Sequence, residues 1–187
     1  MPIRKDQIKQ YVAQQLFRLE QQRSISAGRV ALAQLRRGIG HEPGELPQLW
    51  GAFLSGLPEE LQNSSSQPSR EEWAIYTALT LYALHQQGRQ DSVNSDGVSL
   101  GSAAAKLAAN DEARERIWRR LNLVAQSDDM IEMNYRLRQL ITLLKAEGIG
   151  LDYVMLAADL YEYQFTDSVN RVRLRWGQNF FYTHNTK

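Results

Sequence analysis

The sequence contains no cysteine, which excludes disulfides and thiolate chemistry and makes a reducing, cytoplasmic setting the expectation. No stretch of 18 apolar residues occurs, so no membrane-spanning helix and no membrane partner are expected. The opening "MPIRKDQIKQYVAQQL" lacks the apolar segment of a secretory signal. Proline stops early, at positions 2, 43, 47, 58 and 68, leaving the second half free to carry uninterrupted helices. Strand signals are also missing: there is no period-2 alternation between turn residues and no hairpin dipeptide between β-branched runs. Lysine is scarce, 5 residues against 17 arginines. The net charge is only +1, so a bulk positive field is absent and nucleic-acid binding would have to come from local patches. At 187 residues with 43% hydrophobic content, the chain suits one domain or two small ones with a packed core.

What recurs is helical periodicity. Ile8, Tyr11, Val12, Gln15 and Leu19 form one stripe of a helix over 4–22. A second helix is expected over 26–38, and a short one in "LPQLWGAFLSGLP". Ser69 followed by Glu72 makes a capping box for "EEWAIYTALTLYALHQQG", which is apolar nearly all round and so predicts a central buried helix ended by Gly88. Further helices are expected near 99–109, 111–126, 129–146, 151–164 and 167–181. Breaks at Asn110–Asp111, Ser127–Asp128, "EGIG" and Thr166–Asp167 supply the caps. The fold class is therefore all-α, about nine helices in two small helical bundles. The expected division is 1–90, a mobile linker over 91–98 within "RQDSVNSDG", and 99–187.

No catalytic or metal constellation emerges. "SDGVSLGSAAAKLA" has a glycine loop, but Gly97 and Gly101 are four apart and Lys106 follows Gly101 by five, so it is not a phosphate-binding loop. Ser99 reads instead as an N-cap, and the small residues as a surface for close helix packing. His41, His85 and His184 are scattered, with no pair at helical ligand spacing. His85 closes "LYALH", where a helix C-terminus favours a cation; its expected role is structural or capping. Serines lack a nucleophile-elbow setting. No catalytic residue, metal ligand or cofactor is assigned.

Arginine placement is what remains. Arg116, Arg119 and Arg120 fall opposite the apolar stripe Ile117, Leu121, Val124 and Ala125. In "RVRLRW", Arg171 and Arg175 share one face, one turn apart. Arg36 and Arg37 sit together at a helix end beside a Gly/Pro loop. Three such clusters could track a phosphate backbone. They could equally be solvated faces, with Glu112 and Glu115 beside the first and Asp167 beside the last.

In order, "RVALAQLRRGIGHEPGELPQLW", "ALTLYALHQQG", "GVSLGSAAAKL", "RERIWRRL", "LRQLITLLKAEGIGLDYVMLAADL" and "VNRVRLRWGQNFFY" resemble the small subunit of the type I-E CRISPR surveillance complex Cascade, the CasB family. The resemblance spans residues 27–182 and is weakest in the linkers. It implies an all-helical, non-catalytic subunit, present in two copies beside the other Cascade subunits. Its basic face would hold guide RNA (crRNA), target DNA and the displaced non-target strand without sequence preference. Carried over, Arg36 and Arg37 match the paired arginines of the family's second helix. Arg116, Arg119 and Arg120 match its basic cluster around an aromatic, here Trp118, and Arg138 matches the arginine of "L-R-x-L". Arg171 and Arg175 lie in the helix that reaches the family's tryptophan, here Trp176. The linker after His85 departs from the family's basic pattern, with Arg89 its one cation. The alternative is a helical protein–protein scaffold without nucleic-acid contact, and salt-dependent retention on single-stranded DNA separates the two.

Overall fold

The structure, a computed structural model, describes residues 2–108 and 110–184. Among the described residues there are nine α-helices, two short 3-10 turns and no strand. The helices are α1 (Pro2–Gln22), α2 (Ser26–Arg37), α3 (Trp50–Phe53), α4 (Arg70–Gln86), α5 (Leu100–Lys106), α6 (Asp111–Ala125), α7 (Met130–Glu147), α8 (Tyr153–Tyr163) and α9 (Thr166–His184).

Short polar side chains start most of these helices, because the first N–H groups of a helix lack internal partners. Ser69, Ser99, Asn110, Asp129 and Asp152 each accept a hydrogen bond from the backbone N–H three residues on. The Ser69–Glu72 capping box is complete in both directions. The start of α7 lies one residue beyond the expected break: Asp129 is the cap, and Glu132 reaches back to the Asp128 N–H at 2.8 Å. Gly148, inside "EGIG", ends α7 with a left-handed φ of 67°. The expected end of the fifth helix at residue 109 lies outside the described residues; its last helical residue is Lys106.

Helix α4 is buried on nearly every face, as its unbroken apolar composition requires. It packs against α1, α2, α7 and α8. Helices α4 and α7 run parallel. Near their starts Trp73 and Ile131 share a cleft, and at their ends Lys145 Nζ donates to Gln87 Oε1 at 3.0 Å.

The glycine-rich stretch that resembled a ligand loop serves packing. A Cβ on Gly101 would lie 2.1 Å from the Trp176 carbonyl oxygen, so only glycine lets α5 press against α9 this closely. The segment expected to link two bundles is tied down by hydrogen bonds. Ser95 N–H donates to Leu151 O, Leu151 N–H to Val93 O, Gly97 N–H to Asp152 Oδ2 and Tyr153 N–H to Asn94 Oδ1. Buried apolar residues from both sides of residue 90 belong to one continuous core.

Candidate nucleic-acid interface

Periodicity placed Arg116, Arg119 and Arg120 on the outer arc of α6, and there they stand, all exposed. They line a shallow groove of about 670 Å³ between α6 and the C-terminal half of α7, which Glu147 also lines. Arg116 pairs with Glu112, and Arg119 Nε with Glu115 Oε1 at 2.9 Å. Exposed i,i+4 pairs of this kind hold their cations weakly. Arg120 makes no ion pair among the described residues and reaches Gln139 Oε1 on α7 at 3.5 Å.

Beyond α7 lies a second group. Arg36, near the end of α2, and Arg89, just past α4, both bear electrostatically on Lys145 near the end of α7. Burial lowers the pKa of the Lys145 ammonium, and the charges of Arg36 and Arg89 lower it further. Burial also lowers that of the Arg36 guanidinium. Arg89 donates to the Lys145 carbonyl oxygen and so caps the end of α7. None of Arg36, Arg37, Arg89 and Lys145 makes an ion pair among the described residues. Arg37 and Arg138 are exposed. At 100° per residue Arg138 lies within about 20° of Lys145 and one step round the helix from Gln139. Arg138 thus shares an arc of α7 with Lys145 and adjoins Gln139, which Arg120 reaches.

Lys145 was not named from the sequence, and Arg89 only as the one cation of the linker after His85. Each sits beside a glycine that closes a helix, Gly148 and Gly88, where a cation in the last turn is favoured; that was the available signal.

The α9 arginines lie elsewhere. Arg171 is exposed and donates to its own helix, to Asp167 O at 2.8 Å. Arg175 is turned inward across α8, on Asp159 Oδ1 at 2.5 Å and Glu162 Oε2 at 2.9 Å. Trp176 Nε1 donates to the other Asp159 oxygen at 2.6 Å. Burial pushes the Asp159 carboxyl up against the pull of Arg175 and the indole N–H. For Glu162 the burial penalty is outweighed by Lys5 and Arg175, and its pKa is lowered. Lys5 Nζ lies 3.0 Å from Glu162 Oε1, so this network ties α1, α8 and α9 together. A phosphate at Arg175 would have to displace two carboxylates. Helical spacing put Arg171 and Arg175 on one arc; the neighbouring helix separates their roles.

His85 lies beneath the cationic end. It is structural, as expected, but the helix-end cation expected there is corrected: the ring is 1% exposed, and its Nδ1 is 2.9 Å from the Tyr153 hydroxyl. Burial, with Arg89 and Lys145 adding to it, lowers its pKa from 6.5 to about 4, so it is neutral near pH 7. The His184 side chain lies outside the described residues.

Among the described residues no group of three or more His, Asp or Glu side chains is arranged to hold a metal ion. No helix among them is long and apolar enough to cross a membrane.

The sequence profile of CRISPR-associated protein Cse2 matches residues 31–181. Solved structures agree. CasB from Thermobifida fusca is 30% identical with a TM-score of 0.80, the alignment covering 93% of this chain and 97% of that one. A CRISPR-associated protein of the Cse2 family from Thermus thermophilus is 22% identical with a TM-score of 0.70, covering 91% and 97%. CasB from M. ruber is 24% identical with a TM-score of 0.66, covering 90% and 91%; these last two speak to the fold. A comparison with curated proteins gave no significant match.

Proposed function

Because the chain belongs to the CRISPR-associated Cse2 family, we propose that it is a non-catalytic subunit of a Cascade surveillance complex that holds nucleic acid by its backbone. Its partners are the other Cascade subunits, a second copy of itself, the crRNA, and the target and non-target DNA strands. The observation that carries this reading is the crowding of Arg36, Arg89 and Lys145 without a carboxylate among them. Like charges that burden the fold when the protein is alone are relieved when a phosphate arrives.

Guide–target pairing supplies sequence specificity, so this subunit needs phosphate contacts and no base readout. Exchanging a DNA duplex for an RNA–DNA hybrid is nearly balanced in free energy, and protein contacts to either backbone tip it. Arg36, Arg37, Arg116, Arg119, Arg120 and Arg138, with Arg89 and Lys145, form the contact band in this proposal. Arg120 and Arg138 are the readiest contacts, being exposed and without an ion pair among the described residues. Arg116 and Arg119 exchange a glutamate for phosphate. Arg171 adds a contact from α9, and Arg175 acts through the fold. With its arginines on rigid helices, the subunit would brace the hybrid and keep the displaced strand from re-annealing.

Titration of the full chain with unrelated single- and double-stranded oligonucleotides tests this. The expected result is weak binding that agrees within a few-fold across sequences and weakens steeply with salt. Binding that ignores salt, or that selects one sequence, counts against it.

A further inference from the structure

At the opposite end of the α4–α7 pair lies a cleft that the nucleic-acid reading leaves unused. A pocket of about 150 Å³ is lined by His41, Glu42, Glu45, Trp73, Ile131 and Asn134. Across Trp73 and Ile131 it adjoins a groove of about 480 Å³ bordered by Asp128, Met130, Phe165 and Val169. Glu45 is occupied, its Oε1 2.7 Å from His41 Nδ1 and its Oε2 accepting from the Glu42 N–H at 3.0 Å. Glu42 and Asp128 are exposed and have no ion-pair partner among the described residues.

Two buried polar side chains at these walls are also unsatisfied. Asn134 is 3% exposed and its Oδ1 has no hydrogen-bond partner; Ser127 in the adjoining groove is 2% exposed and its Oγ has none. Buried acceptors without donors are rare, and each calls for a missing partner. The small pocket is thus lined by an indole and a carboxylate without an ion pair among the described residues, with the unpartnered Asn134 amide oxygen buried at its wall, the set that a guanidinium satisfies: a flat cation for the ring and N–H groups in a fork for the oxygens.

The far side of the larger groove limits what can follow. Arg70 lies over the Phe165 ring at 4.4 Å, and Arg173 over the Tyr163 ring at 5.4 Å. They repel a second cation and suit a neutral or acidic neighbour.

We propose that this cleft is a docking site for an arginine-bearing segment of a partner protein. The guanidinium sits between Trp73, Glu42 and Asn134, and an adjoining apolar residue lies over Ile131 toward Met130 and Val169. Charge complementarity selects the occupant. A phosphate backbone would meet Glu42, Glu45 and Asp128, and a polybasic tail would meet Arg70 and Arg173. The docking site stands independently of the arginine band at the other end.

The test uses the full chain, nitrogen-labelled, titrated with the capped peptide acetyl-Gly-Arg-Leu-Gly-amide and with the same peptide carrying citrulline for arginine. The expected result is a saturable shift of the Trp73 indole N–H and the Asn134 side-chain amide. The citrulline peptide and the Glu42→Gln protein should each bind roughly tenfold more weakly, the loss of one charge-assisted contact. Asp128→Asn, also at an exposed position, is the second variant and should weaken binding less. Arg36→Gln with Arg37→Gln should leave peptide binding unchanged. No Trp73 shift at millimolar peptide, equal binding of the citrulline peptide, or displacement of the peptide by a dT oligonucleotide would overturn the proposal. Oligonucleotide shifts around Lys145 in the same protein report on the other end, so either reading can fail alone.

Discussion

The two ends of the parallel pair α4 and α7 hold their charged side chains differently. Where the helices start, most cations are matched, Arg4 with Glu71, Lys5 with Glu162, Arg136 with Glu132 and Arg175 with Asp159 and Glu162, while Arg70 and Arg173 rest over the Phe165 and Tyr163 rings. Glu42 and Asp128 are left over. Where they finish, Arg36, Arg37, Arg89 and Lys145 make no ion pair among the described residues. Helix polarity accounts for the signs, since helix starts favour anions and helix ends favour cations. It does not account for the difference in pairing. The starting end holds its cations on carboxylates or aromatic rings; the cations at the finishing end have neither among the described residues, which supports the proposal that they meet a ligand.

The largest effect that would sharpen this contrast belongs to Arg175. Arg175→Ala should cost about 3 kcal/mol of stability, because it strands the buried Asp159 carboxylate, while the salt dependence of oligonucleotide binding stays that of the parent. Denaturant unfolding and a salt titration of the same variant check both halves. An unchanged unfolding midpoint would break the distinction between structural and contact arginines.

Acidification comes next. His85 is neutral in the fold with a pKa of about 4 against an ordinary 6.5. As pH falls the unfolded chain takes the proton first. Stability is therefore full above about pH 6.5, is lost between there and about pH 4, and levels off below, a loss of about 2 to 3 kcal/mol from this group. Arg89→Gln should shrink that loss, since Arg89 stands second only to burial in opposing the imidazolium. Unfolding curves across this pH range for the parent and His85→Gln isolate the contribution; equal pH slopes in the two would contradict it.

Smaller still is Arg119→Ala with Arg120→Ala. The melting temperature should barely move, a change within about 0.5 kcal/mol, and the salt slope of nucleic-acid binding should fall by between about one and two. The value should stay below two because Arg119 already shares its charge with Glu115. A variant that unfolds would make these residues structural.

Much of the fold was legible in the sequence. Caps and stripes are local, so Ser69, Ser99 and Asn110 announced their helices, and the arc of Arg116, Arg119 and Arg120 followed from 100° per residue. What remained hidden depends on neighbours. Arg171 and Arg175 share an arc, but only the placement of α8 gives Arg175 two carboxylates. Lys145 and Arg89 lie far apart in the chain and meet because α4 and α7 run parallel in one register. The stretch 91–98 reads as a linker because its hydrogen-bond partners, residues 151–153, lie more than fifty residues on. Gly101 reads as part of a loop motif until the backbone of α9 is seen against it.

The most direct test of the account compares charge removal at the two ends. Arg36→Gln, Arg37→Gln and Arg138→Gln together remove three cations from the finishing end; Glu42→Gln with Asp128→Asn removes the unpaired anions from the starting end. Oligonucleotide affinity is measured against salt concentration for both variants and the parent. The first variant should lose about three units of salt slope, one for each phosphate contact, with its stability little changed. The second should keep the parent slope. Equal slopes for all three proteins, or a larger loss from the anion variant, would contradict the assignment of the cationic end as the nucleic-acid surface.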